Sequence, residues 1–350
     1  MNNKFLLVLL AFGFSSLLIG SCNNTSQKKE SYKIDPLIKK ALGYFTAIPD
    51  KAENTENPIT EAKVLLGKTL YFDNRLSKNN SQSCNTCHSL STFGVDNKPT
   101  SEGDLGKNGA RNSPTVLNAA FHTTQFWDGR AKDVEEQAGM PILNPVEMNM
   151  PSEAFVEERI KGIPGYKKLF TDAFPGEDSP IQYSNLKKAI GAFERTLATP
   201  TKFDKFLQGD AEALTAEEKI GLTKFMDLGC TTCHIGPAIG GTMFQRFPLV
   251  GDDYKSSTGS KNDDKGVMEV SKKEDDKYMF KVPSLRNITK TGPYFHDGSV
   301  ADLSTAIKIM GKLELNKEIS DEDVKAIALF LNTLTGEVAQ STSIAPEMPK

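Results

Sequence analysis

The 350-residue sequence contains little of several residue types that mark particular protein classes. It has one tryptophan, four histidines and five cysteines, and its net charge is −3. No stripe of lysine and arginine is present, so nothing indicates a nucleic-acid partner. Four histidines leave little material for zinc sites. Hydrophobic residues make up 38% of the chain, which is enough for the packed cores of about two domains at this length.

An apolar run lies at the N-terminus, where Lys4 is followed by residues 5–19 and then by Gly-Ser-Cys. A short apolar segment between a positive charge and small residues is typical of an export signal rather than a membrane span. The sequence Leu-Ile-Gly-Ser-Cys resembles the lipobox of bacterial lipoproteins, which predicts removal of residues 1–21 and a lipid on Cys22. An ordinary signal cleaved near Ser21 is the alternative. We therefore expect a periplasmic protein that is anchored to a membrane through Cys22.

The other four cysteines lie in two similar motifs. Residues 84–88 read Cys-Asn-Thr-Cys-His, and residues 230–234 read Cys-Thr-Thr-Cys-His. In such a motif, two thiols can attach one porphyrin while the adjacent histidine binds its iron. A thioredoxin-like redox pair or a disulfide would leave the histidines unexplained. The motifs predict two covalently bound haem c groups, held by Cys84, Cys87, His88, Cys230, Cys233 and His234.

The remaining pattern is mainly helical, and no alternating strand runs stand out. Helices are predicted at 61–72, 129–140, 152–162, 185–199 and 320–336, and between the capping box Thr215–Glu218 and Gly229. The stretch 251–277 is rich in Asp, Lys, Ser and Gly, and it is expected to be a mobile surface loop.

The predicted fold is therefore mainly α, with two cytochrome c-like domains that each wrap one covalently attached haem in long loops. A tether and N-terminal segment is expected at 22–57, a first haem domain at 58–200 and a second haem domain at 201–350.

The second axial ligand of each iron decides what the haem can do. An iron with protein ligands on both faces transfers electrons, whereas an open face can bind and split a small oxidant. Methionine opposite histidine raises the reduction potential. Spacing alone does not choose a ligand for the second haem, and each candidate could equally fill a core. The candidates are Met226, Met243, Met268, Met279 and Met310.

Several longer motifs resemble the bacterial di-haem cytochrome c peroxidases. In the first half these include FWDGR at 126–130 and NPVEM at 144–148, and in the second FKVPSLRNITKTGPYFHDGSV at 280–300. The resemblance extends over residues 58–335. It implies reduction of hydrogen peroxide to water with electrons from a small cytochrome c or a cupredoxin. The electrons would enter at the C-terminal haem and pass to the N-terminal haem, and a homodimer is compatible with the family.

Two other functions stay open at this point. One is a di-haem electron carrier without peroxide turnover, and the other is a di-haem oxidase of a protein or organic substrate. In the related methylamine-utilisation enzymes a tyrosine takes the position that Met310 has here, which favours peroxidase over that branch.

The resemblance also implies roles for individual residues. Glu147 would be the acid and base that helps to split the O–O bond, and Gln137 would orient peroxide. Trp127 would lie between the haems and help to move electrons, and Met310 would be the sixth ligand of the second haem. His296 is expected to be a buried structural or relay group rather than an iron ligand.

A calcium ion between the domains is implied as well. Its ligands would be the Asn112 side chain and the carbonyls of Thr291 and Pro293, which suit a hard cation. In one respect the chain departs from the family. Many members have a histidine where this chain has Asp104, and that histidine closes the resting peroxidatic haem. We therefore expect the first haem to lack a sixth protein ligand and to need no reductive activation.

Overall fold

Helices account for most of the regular structure, as the sequence patterns predict. The computed structural model describes residues 34–251 and 253–350, so the predicted export signal and Cys22 lie outside the described residues. No helix in these ranges is long and apolar enough to cross a membrane. The helices are α1 (Pro36–Ala41), α2 (Glu61–Tyr71), α3 (Cys84–Cys87), α4 (Val134–Leu143), α5 (Glu153–Lys161), α6 (Pro164–Ala173), α7 (Tyr183–Glu194), α8 (Lys202–Leu207), α9 (Ala216–Leu228), α10 (Lys255–Thr258), α11 (Met268–Ser271), α12 (Leu303–Leu315), α13 (Asp321–Asn332) and α14 (Gln340–Ser343).

Strands contribute little to the described part of the chain. A short antiparallel ribbon pairs β1 (Phe244–Arg246) with β2 (Met279–Lys281). The expectation of a mainly α-helical protein is confirmed at this level.

Three predicted segments differ from the structure. The helix expected at 129–140 begins only at Val134, because residues 129–133 form a turn that ends in the N-cap Asp133. The helix expected at 185–199 ends at Glu194. The stretch 251–277 is not simply a surface loop, since it contains α10 and α11. Within this stretch Asp264 is buried, and it forms an ion pair with Arg111.

Each half of the chain is built around one close crossing of two helices. A Cβ atom added to Gly67 of α2 would lie 1.9 Å from the Ala189 carbonyl oxygen of α7. Likewise, a Cβ added to Gly221 of α9 would lie 2.0 Å from the Ala326 carbonyl oxygen of α13. Only glycine allows backbones to approach this closely. These crossings place the C-terminal ends of α2 and α9 just ahead of the two cysteine motifs.

The two ends of the described chain cross over to the opposite half. Ile38 of α1 and the nearby Phe45 are buried in an apolar cluster with Phe203 and other second-half residues. At the other end, the Pro349 carbonyl accepts a hydrogen bond from Arg75 of the first half. The predicted domain boundaries stay predictions, but part of the expected tether segment belongs to the core of the second half.

An internal repeat relates the two halves without a gap. Residues 112–133 correspond to 281–302, and each segment leads directly into a helix, α4 or α12. The equivalent Asn118 and Asn287 both have left-handed backbone, with φ of 62° and 60°. Both segments also close a small antiparallel bridge. The identical pairs are Pro114/Pro283, Asn118/Asn287, Phe126/Phe295, Asp128/Asp297, Gly129/Gly298 and Asp133/Asp302.

Candidate functional site

The first cysteine motif forms a single helical turn, α3, which a capping box of Ser83 and Thr86 begins. His88 follows directly, and its Nδ1 lies 2.9 Å from the Pro114 carbonyl oxygen. An imidazole that donates its Nδ1 proton to a carbonyl presents Nε2 as a metal ligand. Burial lowers the pKa of His88, although the Pro114 carbonyl opposes this effect. The geometry therefore supplies a neutral, oriented histidine next to two thiols.

The second motif repeats this arrangement with a different local backbone. Gly229 ends α9 in a left-handed conformation (φ 100°), and residues 230–232 form a tight turn. The Nδ1 of the buried His234 lies 3.3 Å from the Ile239 carbonyl oxygen. Burial lowers the pKa of His234 to about 4, so the ring is neutral at pH 7. Its Nε2 is then available to an iron.

The four motif cysteines are free thiols in the structure. Burial raises the pKa of Cys87 and of Cys230 to about 11, so both remain protonated at neutral pH. Among the described residues, these cysteines form no disulfide. Paired thiols beside a neutral imidazole form the donor set that haem c requires. The residues present fit the cofactor in both halves.

Glu147 is brought close to the first motif by the loop that follows α4. Asn144 donates its side-chain NH to the Glu147 carboxylate at 2.7 Å. Burial raises the pKa of Glu147, while Arg130 and the Asn144 hydrogen bond oppose the shift. The Glu147 charge in turn contributes to the raised pKa of both Cys84 and Cys87. A half-buried carboxyl near this motif is suited to proton transfer rather than to solvation at the surface.

Gln137 lies half-buried on α4, the helix that leads to the Glu147 loop. The repeat places Ala306 of α12 at the corresponding position, so the second half lacks an equivalent polar side chain. The first half alone therefore carries this polar side chain.

Asp104 lies in a loop of the first half, where hydrogen bonds fix its carboxylate and its backbone NH. Its carboxylate accepts hydrogen bonds from the Asn79 backbone NH at 3.1 Å and from the Ser81 hydroxyl at 2.7 Å. Its own NH donates to the Glu147 carbonyl at 2.7 Å. The adjacent Gly103 lies so close to Val146 that a Cβ would be 2.0 Å from the Val146 carbonyl oxygen. Asp104 therefore joins the loop at 79–81 to the Glu147 segment.

Trp127 and His296 occupy equivalent positions of the repeat and lie side by side. Their rings are 6.4 Å apart in an edge-to-face arrangement, and Phe280 stacks on His296 at 4.2 Å. The Trp127 indole NH donates to the Asn112 carbonyl at 2.9 Å. His296 is 3% exposed and its Nε2 has no partner in the described residues. The aromatic cluster thus joins residues from both halves.

Met310 lies on α12, partly buried in the same apolar cluster as Trp127. By contrast, Met226 is buried in the helical core of the second half beside Phe225. The structure therefore separates two of the five methionine candidates, with Met310 on the side of the aromatic cluster and Met226 within the core.

Hydrogen bonds join the two segments that carry the candidate calcium ligands. The Asn112 NH donates to the His296 carbonyl at 2.8 Å, which joins it to the segment that holds Thr291 and Pro293. Asn97 donates to the Gly292 carbonyl at 2.9 Å on the same segment. No group of three or more acidic, histidine or cysteine side chains that could hold a metal occurs within 34–251 and 253–350. A site here would depend on neutral oxygens.

The position of His122 next to an apolar run is typical of a satisfied packing residue, but the structure differs. Its buried Nε2 has no partner among the described residues, and its Nδ1 faces the Lys281 ammonium at 3.3 Å. The signal that could have found this pair is the internal repeat, which aligns Lys281 with Asn112 and His122 with Thr291.

Comparison with known proteins gives a consistent result. A model of the family described as di-haem cytochrome c peroxidase matches residues 61–212. The cytochrome c551 peroxidase of Pseudomonas aeruginosa is 45% identical over 305 residues, which is 87% of each chain. The methylamine utilization protein MauG of Methylorubrum extorquens is 37% identical and covers 84% of this chain and 83% of its own. A solved MauG-like protein associated with microbial copper homeostasis superposes with a TM-score of 0.75 at 28% identity, over 85% of this chain and 97% of its own.

The family model includes the first cysteine motif, and the similarity to the Pseudomonas aeruginosa enzyme extends over enough of the chain to include both motifs. The family implies two haem c groups, which agrees with the two donor sets described above. The chain belongs to the di-haem cytochrome c peroxidase family and is an enzyme of the cytochrome c peroxidase class.

Proposed function

We propose that the protein reduces hydrogen peroxide to water at the first cysteine motif, with electrons that a small redox protein delivers to the second. The observation that carries this assignment is the position of Glu147, whose half-buried carboxyl lies near Cys84 and Cys87. The second half has Ala306 at the equivalent of Gln137 and carries Met310 on the same helix. The haem bound at His88 supplies the redox chemistry that breaks the O–O bond.

Glu147 moves the proton that this reaction requires. Reduction of peroxide to two waters consumes two electrons and two protons, and the O–O bond breaks when one oxygen leaves as water. Glu147 accepts a proton from the nearer oxygen and returns it to the leaving oxygen. The raised pKa of Glu147 lies closer to neutral pH than that of an ordinary carboxyl, which favours both the acceptance and the return of the proton. Gln137 orients the peroxide by hydrogen bonding.

Asp104 keeps the first site open. Its carboxylate is committed to Asn79 and Ser81, and a carboxylate is a poor substitute for a histidine ligand. We infer that no protein side chain closes the first haem and that the enzyme works without prior reduction. Electron paramagnetic resonance of the fully oxidised protein tests this inference. A purely low-spin signal of the bis-histidine type from the first haem would refute it.

Met310 and Trp127 serve the electron path. Met310 would hold the second haem together with His234, and a sulfur ligand there would raise the reduction potential and favour electron transfer over peroxide binding. Electrons then reach the first half through the Trp127 region, which contacts residues of both halves. The donor is proposed to be a small cytochrome c or a cupredoxin.

Three further properties belong to the same proposal. A calcium ion would bind Asn112, Thr291 and Pro293 through neutral oxygens. A lipid on Cys22 would anchor the protein to a membrane in the periplasm. Two copies could associate as a homodimer.

The central experiment compares Glu147→Gln with Glu158→Gln in stopped-flow peroxide turnover with a reduced cytochrome donor. Glu158 is exposed on α5 and serves as a matched control. Loss of acid–base catalysis should slow turnover by about 10²- to 10⁴-fold in Glu147→Gln, while its haem absorption stays as in the wild type. The control should keep full activity.

The same assay separates the alternatives. An electron carrier would show no peroxide turnover in the wild type, and an oxidase would need another substrate to consume its oxidising equivalents. Equal rates for Glu147→Gln and the wild type would contradict the proposed role of Glu147.

A further inference from the structure

Lys281 is a buried lysine whose position in the structure is unusual. It is 7% exposed, at the end of β2, and burial lowers its pKa to about 7 despite the opposing charge of Asp128. In the described residues no carboxylate forms an ion pair with its ammonium. A charge buried without a carboxylate partner is costly, and an apolar side chain of the same length would avoid the cost. The polar contacts of the Lys281 side chain are instead with a carbonyl and an imidazole of the first half.

Those neighbours all lie on one short segment of the first half. The Lys281 ammonium donates to the Thr124 carbonyl at 2.8 Å and lies 3.3 Å from His122 Nδ1. Its backbone NH donates to the Trp127 carbonyl at 2.7 Å. The side chain and the backbone NH of Lys281 thus both hold segment 122–127, and the backbone NH does so through Trp127 itself.

Other hydrogen bonds also hold the segment, such as those from the Thr123 NH and the Thr123 hydroxyl to the Gly241 carbonyl at 3.0 Å and 3.2 Å. Two of its buried polar atoms nevertheless have no such partner. His122 Nε2 and the Thr124 hydroxyl are buried without partners in the described residues. Gly241 packs so tightly on His122 that a Cβ there would lie 2.3 Å from the ring. The ring therefore has little freedom to turn toward another partner, and the ammonium is the polar group that faces it.

The internal repeat gives an independent reason to assign Lys281 a role. Lys281 corresponds to Asn112, and their backbones make equivalent contacts, since the Asn112 NH donates to the His296 carbonyl. Asn112 is the side chain proposed to bind calcium, and Thr124 corresponds to Pro293, whose carbonyl is another proposed ligand. In one copy of the repeat the Pro293 carbonyl would face a metal ion. In the other copy the corresponding carbonyl, that of Thr124, faces the Lys281 ammonium.

We propose that Lys281 is a positioning residue for electron transfer, a buried hydrogen-bond donor that fixes segment 122–127 and thereby the Trp127 indole between the two halves. The proposal rests on the proposed role of Trp127 in the electron path. Phe280, the neighbour of Lys281, stacks on His296, so β2 holds both rings of the Trp127–His296 pair. Lys281 itself touches neither substrate nor iron and acts only through the residues that it holds.

The test uses the haem-loaded protein and three variants. Lys281→Met keeps the side-chain length and removes the charge, while Lys281→Arg keeps the charge. Lys273→Met is the control, because Lys273 is an exposed lysine of the same region. Hydrogen exchange of the peptide 121–131 reports how firmly the segment is held. Ultraviolet resonance Raman spectra report the indole NH of Trp127 without ambiguity, since it is the single tryptophan of the chain.

The third measurement is the rate of electron transfer between the two irons after rapid reduction of the second one, without peroxide. Lys281→Met should speed exchange of peptide 121–131 by about tenfold or more, because a hydrogen bond from a charged donor is lost. It should also shift the indole band and slow the transfer about tenfold or more, since displacements of about 1 Å can cost up to 100-fold in rate. Lys281→Arg should stay close to the wild type, and Lys273→Met should match it.

The outcomes separate this inference from the proposed peroxidase function. A Lys281→Met protein with a wild-type indole band and transfer rate would overturn the inference, even if exchange became faster, because Lys281 would then be only structural. If Lys281→Met does not fold, Lys281→Gln is measured with the same criteria. Failure of peroxide turnover in the wild type would leave all three readouts intact.

Discussion

Replacement of Arg286 by methionine should destabilise the protein strongly, because it leaves a buried carboxylate without its partner. Arg286 is 1% exposed and Asp204 is 2% exposed. The guanidinium donates two hydrogen bonds to the carboxylate, at 2.9 Å and 2.7 Å. Asp204 also accepts from the Ile48 NH at 2.8 Å, and Arg286 donates to the Pro237 carbonyl at 2.6 Å. The pair therefore connects the N-terminal segment, α8 and the loop after His234.

The expected magnitude follows from this geometry. Breaking a buried ion pair by removing one partner costs about 3–5 kcal/mol. For a chain of this size, that corresponds to a fall in Tm of about 4–7 °C. The double variant Asp204→Asn with Arg286→Met should regain part of the loss, because no unpaired charge remains. Lys40→Met breaks the exposed pair between Lys40 and Asp227 and should cost only about 0–1 kcal/mol.

The pH dependence gives a second test of the same pair. Burial raises the pKa of Asp204, but hydrogen bonds from Arg286 outweigh it and hold the pKa below its usual value. Because the folded pKa is depressed, the stabilisation is present above the unfolded pKa of about 4 and is lost as pH falls through the folded pKa. The gap in stability between the wild type and Arg286→Met should therefore narrow toward acid pH.

The assay is urea unfolding of the haem-loaded proteins, followed by far-ultraviolet circular dichroism at neutral pH and at a pH below about 4. A loss below about 1 kcal/mol for Arg286→Met would refute the reasoning, since it would mean that Asp204 had found water or another donor. A double variant less stable than Arg286→Met would refute it equally.

Two further changes test the first and second sites. Asp104→Ala removes the acceptor of the Ser81 hydroxyl and of a backbone NH, and it should cost about 1–3 kcal/mol in urea unfolding. Its oxidised spin spectrum should stay as in the wild type, and loss of an axial-ligand signal would contradict the view that Asp104 is not a ligand. Met310→Leu should convert the second haem from low to high spin in the reduced absorption spectrum and lower its potential. An unchanged spectrum would point to another methionine, such as Met226.

The sequence predicted those parts of the fold that depend on local signals. Ser152, Thr215 and Ser320 accept hydrogen bonds as N-caps of α5, α9 and α13, and such caps are written in adjacent residues. The helix of residues 129–140 was predicted too early, because an apolar period does not reveal that Asp133 is its cap. The apolar period continues through the turn before α4. The internal repeat could have located this turn, because Asp302, which corresponds to Asp133, caps α12 in the same way.

The cysteine motifs predicted the haem-binding donor sets for the same reason, since the ligands are adjacent in sequence. The contacts of Lys281 with His122 and Thr124 join residues more than 150 positions apart. The residues next to Lys281 in the sequence do not indicate that its ammonium is buried or which carbonyl accepts its hydrogen bond. The commitment of Asp104 to Asn79 and Ser81 was hidden in the same way. Site features that rest on such contacts require the fold.

The exchange of chain ends between the halves has a consequence for the order of folding. Helix α1 is the first described helix to be synthesised, but Phe225 and Phe330, which share its apolar cluster, are made about 190 and 290 residues later. The apolar side of α1, with Ile38 and Ala41, cannot be covered until nearly the whole chain exists. Contacts of such long range close late and slow the final step of folding. The second half can therefore reach its finished state only after α1 packs against it.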